Sequence, residues 1–110
     1  MSRNLVVYVN GMRRLEFDRS RGVPGQQRRL LDEMDDDMGQ GIQLGDDRIA
    51  APDDEQRAQY VMQHLLNALA RGEENAAVVF CTYLGVRLPE LVAIQAVDEG
   101  AGFSATLQFA

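Results

Sequence analysis

The sequence predicts an α+β domain. An antiparallel sheet, built from an amino-terminal and a carboxy-terminal hairpin, is covered on one face by about three helices in the order ββ-α-short β-α-α-ββ. Three observations carry that prediction. Asn10-Gly11 lies between two short strand-like runs, the strongest short-range hairpin signal. Residues 53–72 carry the start signal, apolar spacing and stop signal of an amphipathic helix. Residues 103–109, "FSATLQF", alternate apolar and polar side chains without a break, as a half-buried strand does.

The first hairpin is "LVVYVNGMRRLEF" at 5–17. A two-residue turn pairs Val9 with Met12, Tyr8 with Arg13 and Val6 with Leu15, which places Val6, Tyr8, Leu15 and Phe17 on the core face. The polar loop "DRSRGVPG" follows. Pro24 can open a helix to about Asp36, with Leu30, Leu31, Met34 and Met38 along its inner stripe and Gly39 and Gly41 ending it. "GIQLGDDRIA" at 41–50 reads as two short strands around Gly45-Asp46-Asp47, with Ile42, Leu44 and Ile49 inward.

The next element is the clearest. Asp53 and Gln56 form a capping-box pattern just after Pro52. Ala58, Val61, Met62, Leu65, Leu66 and Leu69 then recur at helical spacing, with Arg57, Tyr60, His64, Asn67 and Arg71 on the other face and Gly72 at the end. "NAAVVFCTYLGVRLPEL" at 75–91 suits either a buried strand, by its β-branched and aromatic content, or a helix, by its length and by Ala77, Phe80, Cys81, Leu84 and Leu88. The helix is preferred, nearly apolar all round and therefore central, packed on its predecessor and ended by Pro89. The second hairpin runs through 91–97 and 103–109.

The 110 residues fit one domain, with 45% hydrophobic and 25% charged residues, a globular composition. The apolar run at 76–86 is too short to span a bilayer, and no signal peptide is recognisable at the amino terminus, so a cytoplasmic protein with no membrane contact is expected. A single Cys makes an internal disulfide impossible. All 11 basic residues are Arg, which reads as the coding bias of a GC-rich, bacterial genome. The net charge of −6 argues against nucleic acid as a general partner. The charge is uneven: residues 1–29 hold seven Arg against Glu16 and Asp18, while the remainder holds four Arg against fifteen acids. Such a basic segment either presents an Arg-bearing face to an acidic partner or folds back on the acidic remainder.

The stretch "DDDMGQGIQLGD" at 35–46 comes nearest to recognisable chemistry. Asp35, Asp37 and Asp46 stand at positions 1, 3 and 12 of a calcium-loop spacing. Gln40 takes the place of the turning Gly, Gly39 offers no side-chain oxygen, and Asp46 is shorter than the bidentate Glu. The stretch is therefore expected to be a solvated acidic turn whose repulsion is relieved by Arg48 or by Arg residues of 13–29. A calcium or magnesium site at Asp35, Asp37 and Asp46 is the alternative. His64 falls on a polar helical stripe and Cys81 on an apolar one, so neither reads as catalytic. "GVPGQQ" lacks the Lys of a phosphate loop. No enzyme and no cofactor is expected. The expectation is a small bacterial accessory or regulatory protein that binds another protein or itself, as a homodimer. Its candidate surface is the outward face carrying Val7, Val9 and Met12, with Arg13 and Arg14 beside it.

Overall fold

The structure, a computed structural model, describes residues 4–110; Arg3 and the side chain of Arg21, both counted in the basic segment, lie outside that description. Six strands and three helices follow the expected order: β1 (Leu5–Val9), β2 (Met12–Phe17), α1 (Gly25–Gly39), β3 (Ile42–Leu44), β4 (Asp47–Ile49), α2 (Asp54–Ala70), α3 (Glu74–Arg87), β5 (Leu91–Asp98) and β6 (Phe103–Phe109). The α+β class holds. A four-stranded sheet has the order β2-β1-β5-β6, and β3 and β4 form a separate two-stranded sheet.

The main sheet is mixed and not wholly antiparallel. Both hairpins are antiparallel, but β1 and β5 meet in parallel, with Val7 opposite Ile94. The two most apolar strands thus lie in the middle, and the more polar β2 and β6 take the edges. A parallel pair needs a long crossover, and the whole helical segment between the hairpins supplies it.

The face assignment of β1 is inverted, because of a bulge at one residue of β2. Asn10 and Gly11 turn with positive φ, and Val9 pairs with Met12 and Tyr8 with Arg13, as expected. A bulge then intervenes. Val7 pairs with Leu15, leaving Arg14 as the extra residue of β2. Leu15 and Phe17 keep to the core side, but their neighbours across the ladder are Val7 and Leu5, not Val6. Leu5 and Val7 are both 0% exposed, and Val9 packs partly against the core. Val6 and Tyr8, expected in the core, face away from it. An even strand period makes the phase of a whole strand hostage to one inserted residue.

The helices form as their signals predict. Asp53 accepts from the Gln56 amide at 2.8 Å while the Gln56 side chain accepts from the Asp53 amide at 2.9 Å, a complete capping box. Gly72 takes φ 74° at the end of α2, and the Glu73 amide reaches back to the Ala68 carbonyl. α3 is a helix that is nearly apolar all round; Ala77, Cys81, Tyr83 and Leu84 are buried, while Val78 stays exposed. Val78, Cys81 and Thr82 border Leu15 and Phe17 of β2, and Gly85 meets the Phe17 ring. Val79 and Tyr83, on the other flank, border α1. The core joins Leu5, Val7, Leu91 and Ile94 of the sheet to Val61, Leu65 and Leu69 of α2, Ala77, Cys81 and Leu84 of α3, and Leu31 and Met38 of α1. Among the described residues no helix is long and apolar enough to cross a membrane.

Candidate functional site

α1 carries four residues on its inner stripe, Leu31, Met34, Asp35 and Met38, at the i, i+3, i+4, i+7 spacing of one helical face. Three are apolar and pack on the core. The fourth is a carboxylate, and it meets a set of donors built for it. The Tyr83 hydroxyl and Arg57 Nη1 (3.1 Å) both donate to Asp35 Oδ1, and Arg87 Nε donates to Oδ2 at 2.9 Å. Arg87 Nη2 also donates to Asp32 Oδ1 at 2.9 Å, so one guanidinium clamps two successive turns of α1. Arg57 spends its Nε on the Pro52 carbonyl at 3.3 Å.

The electrostatics follow from this arrangement. Burial alone would raise the Asp35 carboxyl; hydrogen bonds from Tyr83, Arg87 and Arg57 and the charge of Arg87 outweigh it and hold the group below the usual range. Burial pushes the Tyr83 phenol upward, and its bond to Asp35 adds to that, so it stays a neutral donor. The Arg87 guanidinium, partly desolvated, is nevertheless raised by its Asp35 bond. The cluster ties α1 to α2 and α3 at a point where the core is polar.

Beside it, between α1, β3, α2 and α3, lies an open cleft of ≈ 240 Å³. Its walls are Met34 and Met38 from α1, Ile42 from β3, Tyr60 and Val61 from α2, and Phe80 from α3; its polar members are Asp37 and His64. Gly41 at the cleft takes φ 116°, a backbone conformation that favours glycine there. His64 packs edge-on to Tyr60 (4.4 Å between ring centres) and lies 5.8 Å from Phe80. Partial burial, with Arg71 nearby, lowers the basicity of its imidazole. Asp37 of α1 brings an exposed carboxylate to the cleft.

The sequence-selected residues scatter across this map. Asp35 is committed to Tyr83, Arg57 and Arg87; Asp37 stands at the cleft; Asp46 is exposed in the β3–β4 turn. Among the described residues no three His, Cys, Asp or Glu side chains converge to hold a metal ion. Among the described residues, the cations seen to meet the acidic run are Arg57 of α2 and Arg87 of α3. Arg48 instead donates to the Gln40 carbonyl at 3.4 Å, beyond the end of α1. Val7 lies in the core and leaves no outward Val7–Val9–Met12 patch, although Met12 itself is 69% exposed. Arg13 pairs with Glu16 at 2.9 Å on the surface, and Arg14 is the exposed bulge residue. Cys81 is buried, which pushes its thiol up to about 12. His64 is exposed as expected, but Tyr60, assigned to the same polar stripe, is half-buried at the cleft.

Sequence reasoning missed Tyr83, Arg57 and Arg87 as a unit. The signal was available: a carboxylate at i+4 from Leu31, on an otherwise apolar stripe, requires buried donors. In comparisons with protein-family models, with curated proteins and with solved structures, no match was found.

Proposed function

We propose that this chain is a cytoplasmic accessory or regulatory protein that binds another protein and does not catalyse a reaction. The cleft between α1 and α2 receives one apolar side chain of a partner segment, and a basic residue flanking that side chain meets Asp37. The observation that carries this reading is the conjunction at α1: an open, largely apolar cleft of ≈ 240 Å³ with the exposed carboxylate of Asp37 in its wall. The volume suits a side chain of Leu, Met or Phe size better than a cofactor. Two Met side chains in the wall adapt to differently shaped guests. The net charge of −6 favours a basic partner by steering as well as by contact.

The polar groups support binding over catalysis. Asp35 is fully engaged in holding the helices together. Burial of Cys81 suppresses its thiolate. His64 is bordered by aromatic rings.

The test uses a synthetic peptide with one Leu between Arg pairs, and two controls: Leu→Ala, and Arg→Glu throughout. Binding is followed by backbone and methyl NMR shifts. The expected result is weak binding, at roughly 10–500 µM, with shifts confined to Met34, Met38, Ile42, Tyr60 and Phe80. Both controls should lose it, and affinity should fall with salt. Equal binding by the Ala control, or shifts confined to another surface, overturns the reading.

A further inference from the structure

We infer that β6 is a dimerisation edge, and that two copies of this chain join their sheets through antiparallel β6–β6 pairing about a two-fold axis at Thr106. The two edges of the sheet differ. β2 carries Arg13, Arg14 and Glu16 on the strand and a bulge within it, the devices that blunt an edge against pairing. β6 itself carries none of them; the irregularity in its ladder loops out Val92 of the neighbouring β5. Its seven residues, Phe103-Ser104-Ala105-Thr106-Leu107-Gln108-Phe109, contain no charge and no Pro, and among the described residues no strand lies on its outer side. One edge is defended and the other is open.

The strand is also complementary to its own reverse. Two-fold pairing centred on Thr106 sets Thr106 against Thr106, Gln108 against Ser104, Leu107 against Ala105 and Phe109 against Phe103 of the second copy. Polar side chains meet polar ones on the sheet face away from the helices, and apolar side chains meet apolar ones on the helix side. No register shifted by one residue achieves this, because it would oppose the two sets.

A cavity beside the edge supplies the third observation. It measures ≈ 340 Å³ and is bordered by Met62 and Leu66 of α2 and by Phe103 and Ala105 of β6. Phe109 is 54% exposed in the single chain, and it sits opposite Leu91 of the core, on the helix side. The proposed register brings the Phe109 ring of each copy alongside Phe103 of the other, at the mouth of this cavity. Each copy thus covers the other's largest exposed aromatic group. The contact is isologous and closes at two, so it yields a dimer and no filament. It lies on a different surface from the α1 cleft and stands independently of the peptide-binding reading.

The experiment is sedimentation equilibrium of the intact chain, with Thr106→Arg, Phe109→Ser and Thr106→Ser as variants. Both positions are exposed in the single chain, so thermal melts at low concentration should be unchanged and separate lost association from lost folding. The wild type should sediment as two chains at micromolar to millimolar concentration. Thr106→Arg, which sets two guanidinium groups against each other at the axis, should weaken the dimer at least about tenfold. Phe109→Ser should weaken it, and Thr106→Ser should leave it intact. A wild type that stays monomeric at about 1 mM, a dimer indifferent to Thr106→Arg and Phe109→Ser, or assembly beyond two chains would each overturn the inference.

Discussion

Gly85→Ala sets two known effects against each other inside α3, and the geometry decides the sign. Replacing a mid-helix Gly by Ala should stabilise by about 1 kcal/mol through helix propensity and the narrower unfolded ensemble. Here the new Cβ would stand 2.2 Å from Phe17 Cδ2 and 2.7 Å from Cε2, where carbon pairs rest at about 3.5–4.0 Å. The ring must therefore retreat by more than about 1 Å. Overpacking of that kind costs about 1–3 kcal/mol. Phe17 is only half-buried on an edge strand, so it has some room, which puts the strain near the middle of that range. The expected net effect is a loss of about 1 kcal/mol, a fall in the urea midpoint with an unchanged slope. Phe17→Leu should remove the clash, so that Gly85→Ala becomes stabilising in that background. A four-member cycle of urea titrations would then give a coupling of at least about 1 kcal/mol. If Gly85→Ala stabilises both backgrounds equally, α3 does not press on β2 at this point and the reasoning fails.

Other substitutions test the remaining supports. Leu65→Ala should cost about 2–5 kcal/mol, read by urea unfolding, because Leu65 is 0% exposed at the centre of the core. Val7→Asp should abolish folding while Val6→Asp leaves a cooperative melt, and the reverse pattern would restore the sheet phase that the bulge overturned. Asp53→Ala should lower stability by about 1 kcal/mol, since the capping box loses the acceptor for the Gln56 amide. Asp35 makes a prediction about pH. Its carboxyl titrates lower in the folded chain than at the ordinary 3.8, so the unfolded chain takes up the proton first. Its contribution is therefore complete above about pH 4 and is lost as the pH falls through the folded value. Asp35→Asn should reduce stability at neutral pH by about 1–3 kcal/mol and flatten that acid limb in melts between pH 2 and 7. An acid limb unchanged in the variant would show that the cluster is not coupled to folding.

The sequence made the elements legible because most of their signals are local. Asn10-Gly11, the Asp53–Gln56 box and Gly72 each specify a turn or a helix end from within a few residues, and each is found in place. The alternation of 103–109 gave both the existence and the phase of β6. What failed was non-local. The pairing of β1 with β5 depends on how the helical segment returns the chain, which no window of residues contains. The phase of β1 turned on whether Arg14 would be looped out of its ladder, and nothing in "MRRLEF" distinguishes Arg14 from Arg13. Gly85 was visible as an isolated Gly within a helical pattern, a sign of close packing, but its neighbour Phe17 is far away along the chain.

The acidic run shows the same division most sharply. Read as a string, Asp35, Asp36 and Asp37 are three like charges inviting one counter-ion. Wound into α1, they diverge by about 100° per residue, and their fates separate with them. Asp35 turns inward on the stripe of Leu31 and Met38, and there it can stay ionised only because Tyr83, Arg57 and Arg87 converge on it. Asp36 faces solvent, and Asp37 stands at the apolar cleft. A loop that chelates calcium keeps its oxygens together by remaining a loop. This segment is helical through Gly39, and the helix itself disperses the ligands. The charge left on the outside is then free to act at longer range, which is why a basic segment of another protein, and not a bare cation, is the counter-charge proposed for this face.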